Sequence, residues 1–454
     1  MRKPFFEENA RSVAVETLSQ WEERPLPIDR IFTARAARLE PAERRLARTL
    51  VYGVLRRRDT LDAVIAHYSR HSLDQLESRV LTTLRVGVFQ LFFLSRIPSS
   101  AAVNTTVNTM KHARKPSWLV GFVNGVLRRI AAERANLAGF ALDSNGLPHT
   151  NHPEWLCSRW CKHFGEEQMR AICAINNTEP VLSLRVNTRK NGRADFLAQL
   201  RKNGVSAQPG RISPVGLVVD GYPGPITTLY GYEVGRFQVQ DEGAQLVSML
   251  LSGLPGPSRV LDACAGLGGK TGHLVELLPA GSTLLALEPD GHRYRLLLEN
   301  INRLGHEKQV QPLQATVAAL ARKKPPPLAP FDAILIDAPC SGTGVIRRQP
   351  DIRWNRQPAD LPKYAEQQGA LLHQAAGLLK PGGLLVYATC SLEPEENMQV
   401  VEHFLASRKA FTLEPAAPHL PEQAKNLALE NGVLATLPTD GCDGFFAACL
   451  RRAL

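Results

Sequence analysis

The sequence predicts a three-part protein: an all-α domain over residues 1–142, a small α+β domain over 151–240, and an α/β domain built on a doubly wound sheet over 241–454. Three observations carry that expectation. Apolar residues recur at helical spacing through the first third. From Arg259 onward, short apolar strands alternate with helices. Between these regions, Asp143-Ser-Asn-Gly-Leu-Pro148 has the composition of a linker. A chain of 454 residues accommodates about two to four domains of ordinary size.

In the first third, Val13, Ala14, Thr17, Leu18 and Trp21 share one helical face, as do Leu46, Leu50 and Val54, then Leu61, Val64, Ile65 and Tyr68. Val80, Leu81, Leu84, Val88, Leu91 and Phe92 repeat the pattern, followed by Phe122, Val123, Val126, Leu127 and Ile130. Pro98-Ser-Ser100 and Pro116-Ser117 mark helix starts. The middle segment has a helix around Trp155 to Phe164, a strand over Leu182 to Val186, a helix near Ala194 to Asn203, and a Gly/Pro-rich stretch to Pro225. Cys157, Cys161 and Cys173 with His152 and His163 invite a metal reading. However, Cys-x3-Cys on a helix is not a zinc turn, and packing is the preferred reading, with no metal expected.

After a helix beginning near Asp241, strands are expected at Arg259 to Ala263, Ser282 to Leu287, Phe331 to Asp337 and Gly383 to Ala388. Such strands form a parallel sheet whose ligands lie outside the carboxyl ends.

The formal charge is +11, and it is unevenly placed: residues 1–150 hold 23 Lys+Arg against 14 Asp+Glu, residues 151–454 hold 31 against 29. A basic module attached to a near-neutral remainder indicates a polyanion partner, nucleic acid first. Arg44, Arg45 and Arg48, Arg56 to Arg58, and Arg128-Arg129 are read as its polar faces. No run of about 18 apolar residues occurs, so no membrane span is expected. The opening Met1 to Arg11 meets acids before any apolar run, so secretion is not expected, and eight cysteines without a dense framework fit a reducing cytoplasm.

Cys264-Ala265-Gly266-Leu267-Gly268-Gly269-Lys270-Thr271 follows a strand and opens a helix. Its glycines permit close backbone approach by a ligand. A Walker A loop needs Gly where Cys264 stands, and the dinucleotide fingerprint needs Gly where Thr271 stands, so neither reading holds. Glu288 ends the next strand, 19 residues beyond Gly269, where a carboxylate can accept from ribose hydroxyls. A nicotinamide dehydrogenase is thereby disfavoured, and an adenosine-containing cofactor remains.

Two further strands end in Asp337-Ala-Pro-Cys340-Ser-Gly-Thr-Gly344 and Tyr387-Ala-Thr-Cys390-Ser391. A single free cysteine is commonly a small buried hydrophobe; two at neighbouring strand ends, each followed by Ser, call for a chemical reason. Addition of a thiolate to C6 of a pyrimidine, with hydrogen bonding or protonation at N3, makes C5 carbanion-like and able to take a methyl group. A second thiol can then assist elimination.

These motifs, together with Val239-Gln-Asp-Glu-Gly-Ala-Gln-Leu246 and Glu393-Pro-Glu-Glu-Asn397, resemble the RNA (cytosine-5) methyltransferases of the Nop2/Sun/RsmB family. The first third resembles the NusB antitermination domain through Leu84 to Leu91, Ile97-Pro and Phe122 to Leu127. The pairing is typical of the bacterial 16S ribosomal RNA branch. The resemblance implies a NusB-like RNA-binding domain, a small α+β domain, and a Rossmann-like class I catalytic domain dependent on S-adenosylmethionine. It further implies methylation at cytosine C5 of small-subunit rRNA, of the cytosine-967 type, by a cytoplasmic monomer through a covalent Cys–C6 intermediate. Cys390 is implied as nucleophile, Cys340 as the aid to release, and Asp337 as the contact near N3 that also approaches the cofactor. Cys264 to Lys270 and Glu288 are implied to hold the cofactor. Arg347, Arg348, Arg353 and Trp354 either grip RNA or form a basic surface loop around a packed Trp.

Two departures stand out. The family's Ala-Pro-Gly-Gly-Lys is Gly266-Leu-Gly-Gly-Lys270 here, and its acid after the third strand has no counterpart in residues 310–330. The competing reading is a NusB-like RNA-binding adaptor with a degenerate methyltransferase domain.

Overall fold

The computed structural model describes residues 8–24, 26–143, 146–322 and 330–454; Ser144 and Asn145 of the expected linker, part of the opening Met1 to Arg11, and residues 323–329 of the acid-free stretch lie outside them. The chain divides into two units, one of residues 1–179 with 346–355, the other of 180–345 with 356–454. The segment 151–240 is therefore shared: its first two helices fall in the first unit, its sheet and third helix in the second.

The first unit holds α1 (Ala10–Glu23), α2 (Ile28–Arg35), α3 (Pro41–Arg56), α4 (Arg58–Tyr68), α5 (Ser78–Phe93), α6 (Ser99–His112) and α7 (Ser117–Ala132), then α8 (Glu154–Phe164) and α9 (Glu166–Asn176). Asn9 caps α1 by accepting from Arg11 N and Ser12 N, and α6 and α7 begin just after Pro98 and Pro116, as the sequence predicts. The predicted faces form the core: Val13, Leu50, Leu61, Leu84, Val123 and Leu127 are all buried.

Several predicted polar-face arginines are instead internal. Arg56 is buried and donates to Arg347 O at 3.2 Å, Arg57 lies over the Phe93 ring, and Arg58 lies over Trp354. Arg44, Arg45, Arg48, Arg128 and Arg129 stay exposed. In segment 346–355, Trp354 fits the packed-Trp reading, while Arg353 lies in neither an RNA grip nor a surface loop. Arg353 is fully buried and donates to Asn151 O (2.9 Å), Asn177 Oδ1 (2.6 Å) and Asn176 O (2.9 Å), and Trp354 Nε1 donates to Leu55 O at 2.8 Å. Guanidinium stems are apolar enough to pack and their five donors can satisfy backbone carbonyls, which charge counting does not register.

The second unit opens with an antiparallel sheet ordered β2-β3-β1-β4: β1 (Leu182–Val186), β2 (Ala207–Pro209), β3 (Gly216–Val219) and β4 (Phe237–Val239), with α10 (Arg193–Lys202) packed on it. The Gly/Pro-rich stretch thus contains two strands too short to show alternation. α11 (Glu242–Met249) follows, N-capped by Asp241, which also accepts from Asp443 N at 2.8 Å. Glu242 is buried and accepts from the amides of Arg211, Ile212 and Ser213.

The main sheet contains β5 (Arg259–Asp262), β6 (Thr283–Leu287), β7 (Val310–Leu313), β8 (Phe331–Asp337), β9 (Leu379–Thr389), β10 (Phe411–Glu414), β11 (Leu434–Thr436) and β12 (Phe445–Arg452). Helices α12 (Gly269–Leu277), α13 (Gly291–Leu304), α14 (Leu361–Ala376) and α15 (Met398–Ser407) accompany it. The order is β10-β12-β9-β8-β5-β6-β7, with β11 on β12. β5 through β9 are mutually parallel, the four expected strands being joined by β7; β10, β11 and β12 are antiparallel additions, so the sheet is mixed. Because β5 pairs with both β6 and β8, the strand order reverses there, and the crevice beyond their carboxyl ends is where this topology admits a ligand. No helix among the described residues is long and apolar enough to cross a membrane.

Arg185 on β1 is buried against α12. It pairs with Glu276 through Nη2 (2.9 Å) and Nε (3.2 Å), donates to Gly269 O at 2.6 Å, and bonds Gln240. Burial alone would raise the Glu276 carboxyl, but Arg185, His306 and His273 overcome it and bring its pKa to about 2. Glu276→Gln leaves a buried guanidinium without its counter-charge, and should cost about 3–5 kcal/mol at pH 7. With a pKa depressed from 4.5 to about 2, the contribution is complete above pH 4.5 and lost as pH falls toward 2. Urea unfolding of wild type and variant should therefore show a stability gap that narrows across that window.

Candidate active site

The turn after β5 is built by backbone. Gly266 and Gly268 have φ of +56° and +84°, in the left-handed region that only glycine adopts freely, and Gly268 N donates to Ala265 O at 2.8 Å. The proline expected by resemblance is absent, but Asn300 Nδ2 donates to Leu267 O at 2.9 Å and ties the turn to α13. A Cβ added at Gly266 would meet nothing within 4 Å, so open space lies over the turn. α12 starts at Gly269 with no side-chain cap on its first amides.

Carboxylates surround this turn. Asp262 is fully buried, accepts from Thr271 Oγ1 at 2.7 Å and Cys264 N at 3.3 Å, and burial raises its pKa to about 6. Glu288 ends β6, is buried, and accepts from Asp290 N at 2.8 Å. Burial and the charges of Asp262, Asp337 and Glu288 push the Cys264 thiol far up, which keeps it a neutral part of the turn. Beyond β7, where the resemblance leads one to expect an acid, Gln314 donates through Nε2 to Pro289 O at 3.4 Å.

Lys270, in the first turn of α12, donates to Asp337 Oδ2 at 2.7 Å and lies 4.9 Å from the Phe445 ring centroid. Burial disfavours its charge, yet Asp337, Cys390 and Asp262 together hold the ammonium above its ordinary pKa. The pair joins the glycine turn to the end of β8.

The two thiols meet. Register pairs Asp337 with Ala388 across β8 and β9, and Ala338 N donates to Ala388 O at 2.8 Å. Beyond the strands, Gly344 N donates to Cys390 O at 2.9 Å, and a Cβ on Gly344 would overlap the Gly444 carbonyl, so the loops approach through bare backbone. Cys340 Sγ and Cys390 Sγ are 3.3 Å apart and unbonded covalently. The hydrogen bond to Cys390, then burial, then the charge of Cys390 push the Cys340 pKa well up, and either sulfur can donate in the contact.

The structure thus brings Cys340, Cys390, Asp337 and Lys270 to one sheet edge and sets Cys264 to Gly269 and Glu288 around the adjoining turn. Sequence reasoning missed Asp262, though an acid closing the strand before the glycine turn was a usable signal. It also missed Phe445, which arrives from a distant antiparallel strand. Among the described residues no group of His, Cys, Asp and Glu is arranged to hold a metal.

Comparison with known proteins places this geometry. The profile described as "16S rRNA methyltransferase RsmB/F" matches residues 250–451, that of the NusB family matches 8–132, and that of the RsmF/B-like ferredoxin-like domain matches 152–226. A ribosomal RNA small subunit methyltransferase B of Pseudomonas putida is 35% identical over 97% of this chain and 98% of its own length. The protein of the same name from Pseudomonas syringae pv. tomato is 37% identical over 91% of this chain and 90% of its own. The chain belongs to the ribosomal RNA small subunit methyltransferase B family. Among solved structures, PH0851 shares the fold with a TM-score of 0.76 at 24% identity, over 98% of this chain and 100% of that one.

Methyltransferases of this family depend on S-adenosylmethionine, and the residues fit it. The open glycine turn, the uncapped α12 amides and the buried Glu288 carboxylate supply the space and polar groups that a nucleoside with an amino-acid tail requires. The state of the thiol pair in this methyltransferase is open to direct measurement. Limited iodoacetamide at pH 8 should label Cys390 well ahead of Cys340, as read by peptide mass spectrometry; preferential labelling of Cys340 would contradict its raised pKa.

Proposed function

We propose that this methyltransferase methylates C5 of a cytosine in 16S ribosomal RNA, of the position-967 type, with Cys390 as nucleophile. The observation that carries the reading is the 3.3 Å contact between two free thiols, beside the Lys270–Asp337 pair.

Cys390 adds to C6 of the cytosine. Asp337, anchored to Lys270 through Oδ2, faces N3 with its other oxygen and stabilises the protonated ring as C5 becomes nucleophilic. When bound, S-adenosylmethionine supplies an electrophilic methyl group, and the turn from Cys264 to Lys270 with Glu288 holds it, Glu288 accepting from ribose hydroxyls. Once Cys390 is bonded to C6, its sulfur no longer holds a charge against Cys340. That charge and the hydrogen bond with Cys390 are both among the causes that raise the Cys340 pKa, so in the adduct Cys340 can lose its proton to solvent and take the one from C5, and Cys390 is expelled. The same pair thereby keeps its second thiol silent until the adduct exists.

The target base must be single-stranded or everted to expose C5 and C6. We assign RNA affinity to the basic segment 1–142, with residues 151–240 preceding the catalytic part 241–454, and infer a monomer acting in the cytoplasm. Exposed Arg44, Arg45, Arg48 and Arg128 support the first assignment.

Cys390→Ala should lower methyl transfer to deproteinised small-subunit rRNA by about 1000-fold or more. Cys340→Ala should instead accumulate protein covalently joined to RNA, visible as a slowed band on a denaturing gel that forms only with S-adenosylmethionine. Retained activity in the first variant, or no band in the second, would reject the division of labour.

A further inference from the structure

Each thiol is followed by a serine, and one carboxylate holds both Cys-Ser steps. Glu396, at the end of a short 3-10 turn Pro394–Glu396, is completely buried. Its Oε2 accepts from Ser341 N at 2.8 Å and from Gln368 Nε2 at 3.0 Å, and its Oε1 accepts from Ser391 Oγ at 2.8 Å. Gln368 Nε2 also donates to Pro339 O at 2.9 Å, so the residues on both sides of Cys340 are tied to this carboxylate directly or through one amide. The Ser341 and Ser391 hydroxyls are 3.0 Å apart, and Tyr387 OH donates to Glu396 O at 2.6 Å, which fixes the turn against β9.

Burying a carboxylate costs several kcal/mol unless it is well bonded. No Lys, Arg or His pairs with Glu396 among the described residues; its side-chain partners are the donors of the two thiol loops and Gln368. An apolar residue would fill the space at lower cost, so a function at the thiols explains its presence better than packing does.

We propose that Glu396 is a positioning residue that sets the separation of the Cys340 and Cys390 sulfurs, and through it the rate of thiolate addition and release, without touching RNA or methyl donor. The proposal rests on the thiol-pair reading above. The charge of Glu396 is also among the causes that keep Cys340 protonated, after Cys390 and burial; its loss alone would speed oxidation, so slowed oxidation reports the placement of the sulfurs.

Two readouts test it on the full-length protein. The first is the rate at which diamide converts the thiol pair to a disulfide, the two thiol hydrogens reducing the diazene to a hydrazine. A disulfide requires the sulfurs to close from 3.3 Å to about 2.05 Å, so this rate reports their placement independently of RNA chemistry. The second is kcat and KM for rRNA. In Glu396→Gln the amide turns an NH2 toward Ser341 N or Ser391 Oγ. Oxidation rate and kcat should each fall about 10-fold or more while KM stays within about twofold. Glu396→Asp, which keeps the charge, should recover part of both. A folded Glu396→Gln protein with both rates near wild type overturns the proposal, as does a fall in kcat with unchanged oxidation. Slowed oxidation with unchanged kcat would reject the thiol-pair reading and leave the positioning intact. If Glu396→Gln fails to fold, Ser391→Ala removes one of the same bonds and should lower both rates about threefold; no change in either would overturn the proposal.

Discussion

The chemistry depends on one contact, the 3.3 Å approach of Cys340 and Cys390. Neither sulfur reaches the other by sequence proximity. They meet because β8 and β9 are parallel neighbours in register through Asp337 and Ala388, so that two loops leave the same sheet edge side by side. Bare backbone at Gly344 then lets them close, and buried donors and acceptors fix them. In a pair so placed, ionising one thiol makes ionising the other costly, and a covalent bond at the first releases that constraint.

The same edge carries the link to the donor site. Lys270 belongs to the helix that follows the glycine turn and Asp337 to the strand that leads to Cys340, so a single ion pair joins the turn to the thiols. The helix is itself held from behind by Arg185, which reaches from the small sheet to Gly269 O and Glu276. The small sheet therefore acts on the catalytic part as a brace on α12, through a buried charge that has to be satisfied.

Much of this was legible in the sequence. Helical faces, the parallel strands and the residues at their carboxyl ends follow from periodicity and spacing, because long amphipathic segments and buried parallel strands leave strong patterns. The four strands β2, β4, β11 and β3 did not register, since three or four residues cannot establish an alternation. The antiparallel β12 was also unread, although Phe445 on it faces Lys270. Arginine misled in a consistent way. Arg56 and Arg353 read as surface charge but are buried and bonded, because a guanidinium can saturate carbonyls that no sequence pattern marks. The +9 balance of residues 1–150 therefore overstates the charge available to RNA, and Arg44, Arg45, Arg48, Arg128 and Arg129 are among the residues that stay exposed. Glu396 was visible only as part of a motif, and its bonds to both thiol loops required coordinates.

The central claim is that one of two adjacent thiols attacks the base while the other waits. Its most direct measurement is to trap the wild-type protein on rRNA fragments carrying 5-azacytidine, in the presence of S-adenosylmethionine, and to locate the adduct by peptide mass spectrometry. The account predicts a nucleotide on Cys390 and an unmodified Cys340. An adduct on Cys340, or none on either cysteine, would contradict it.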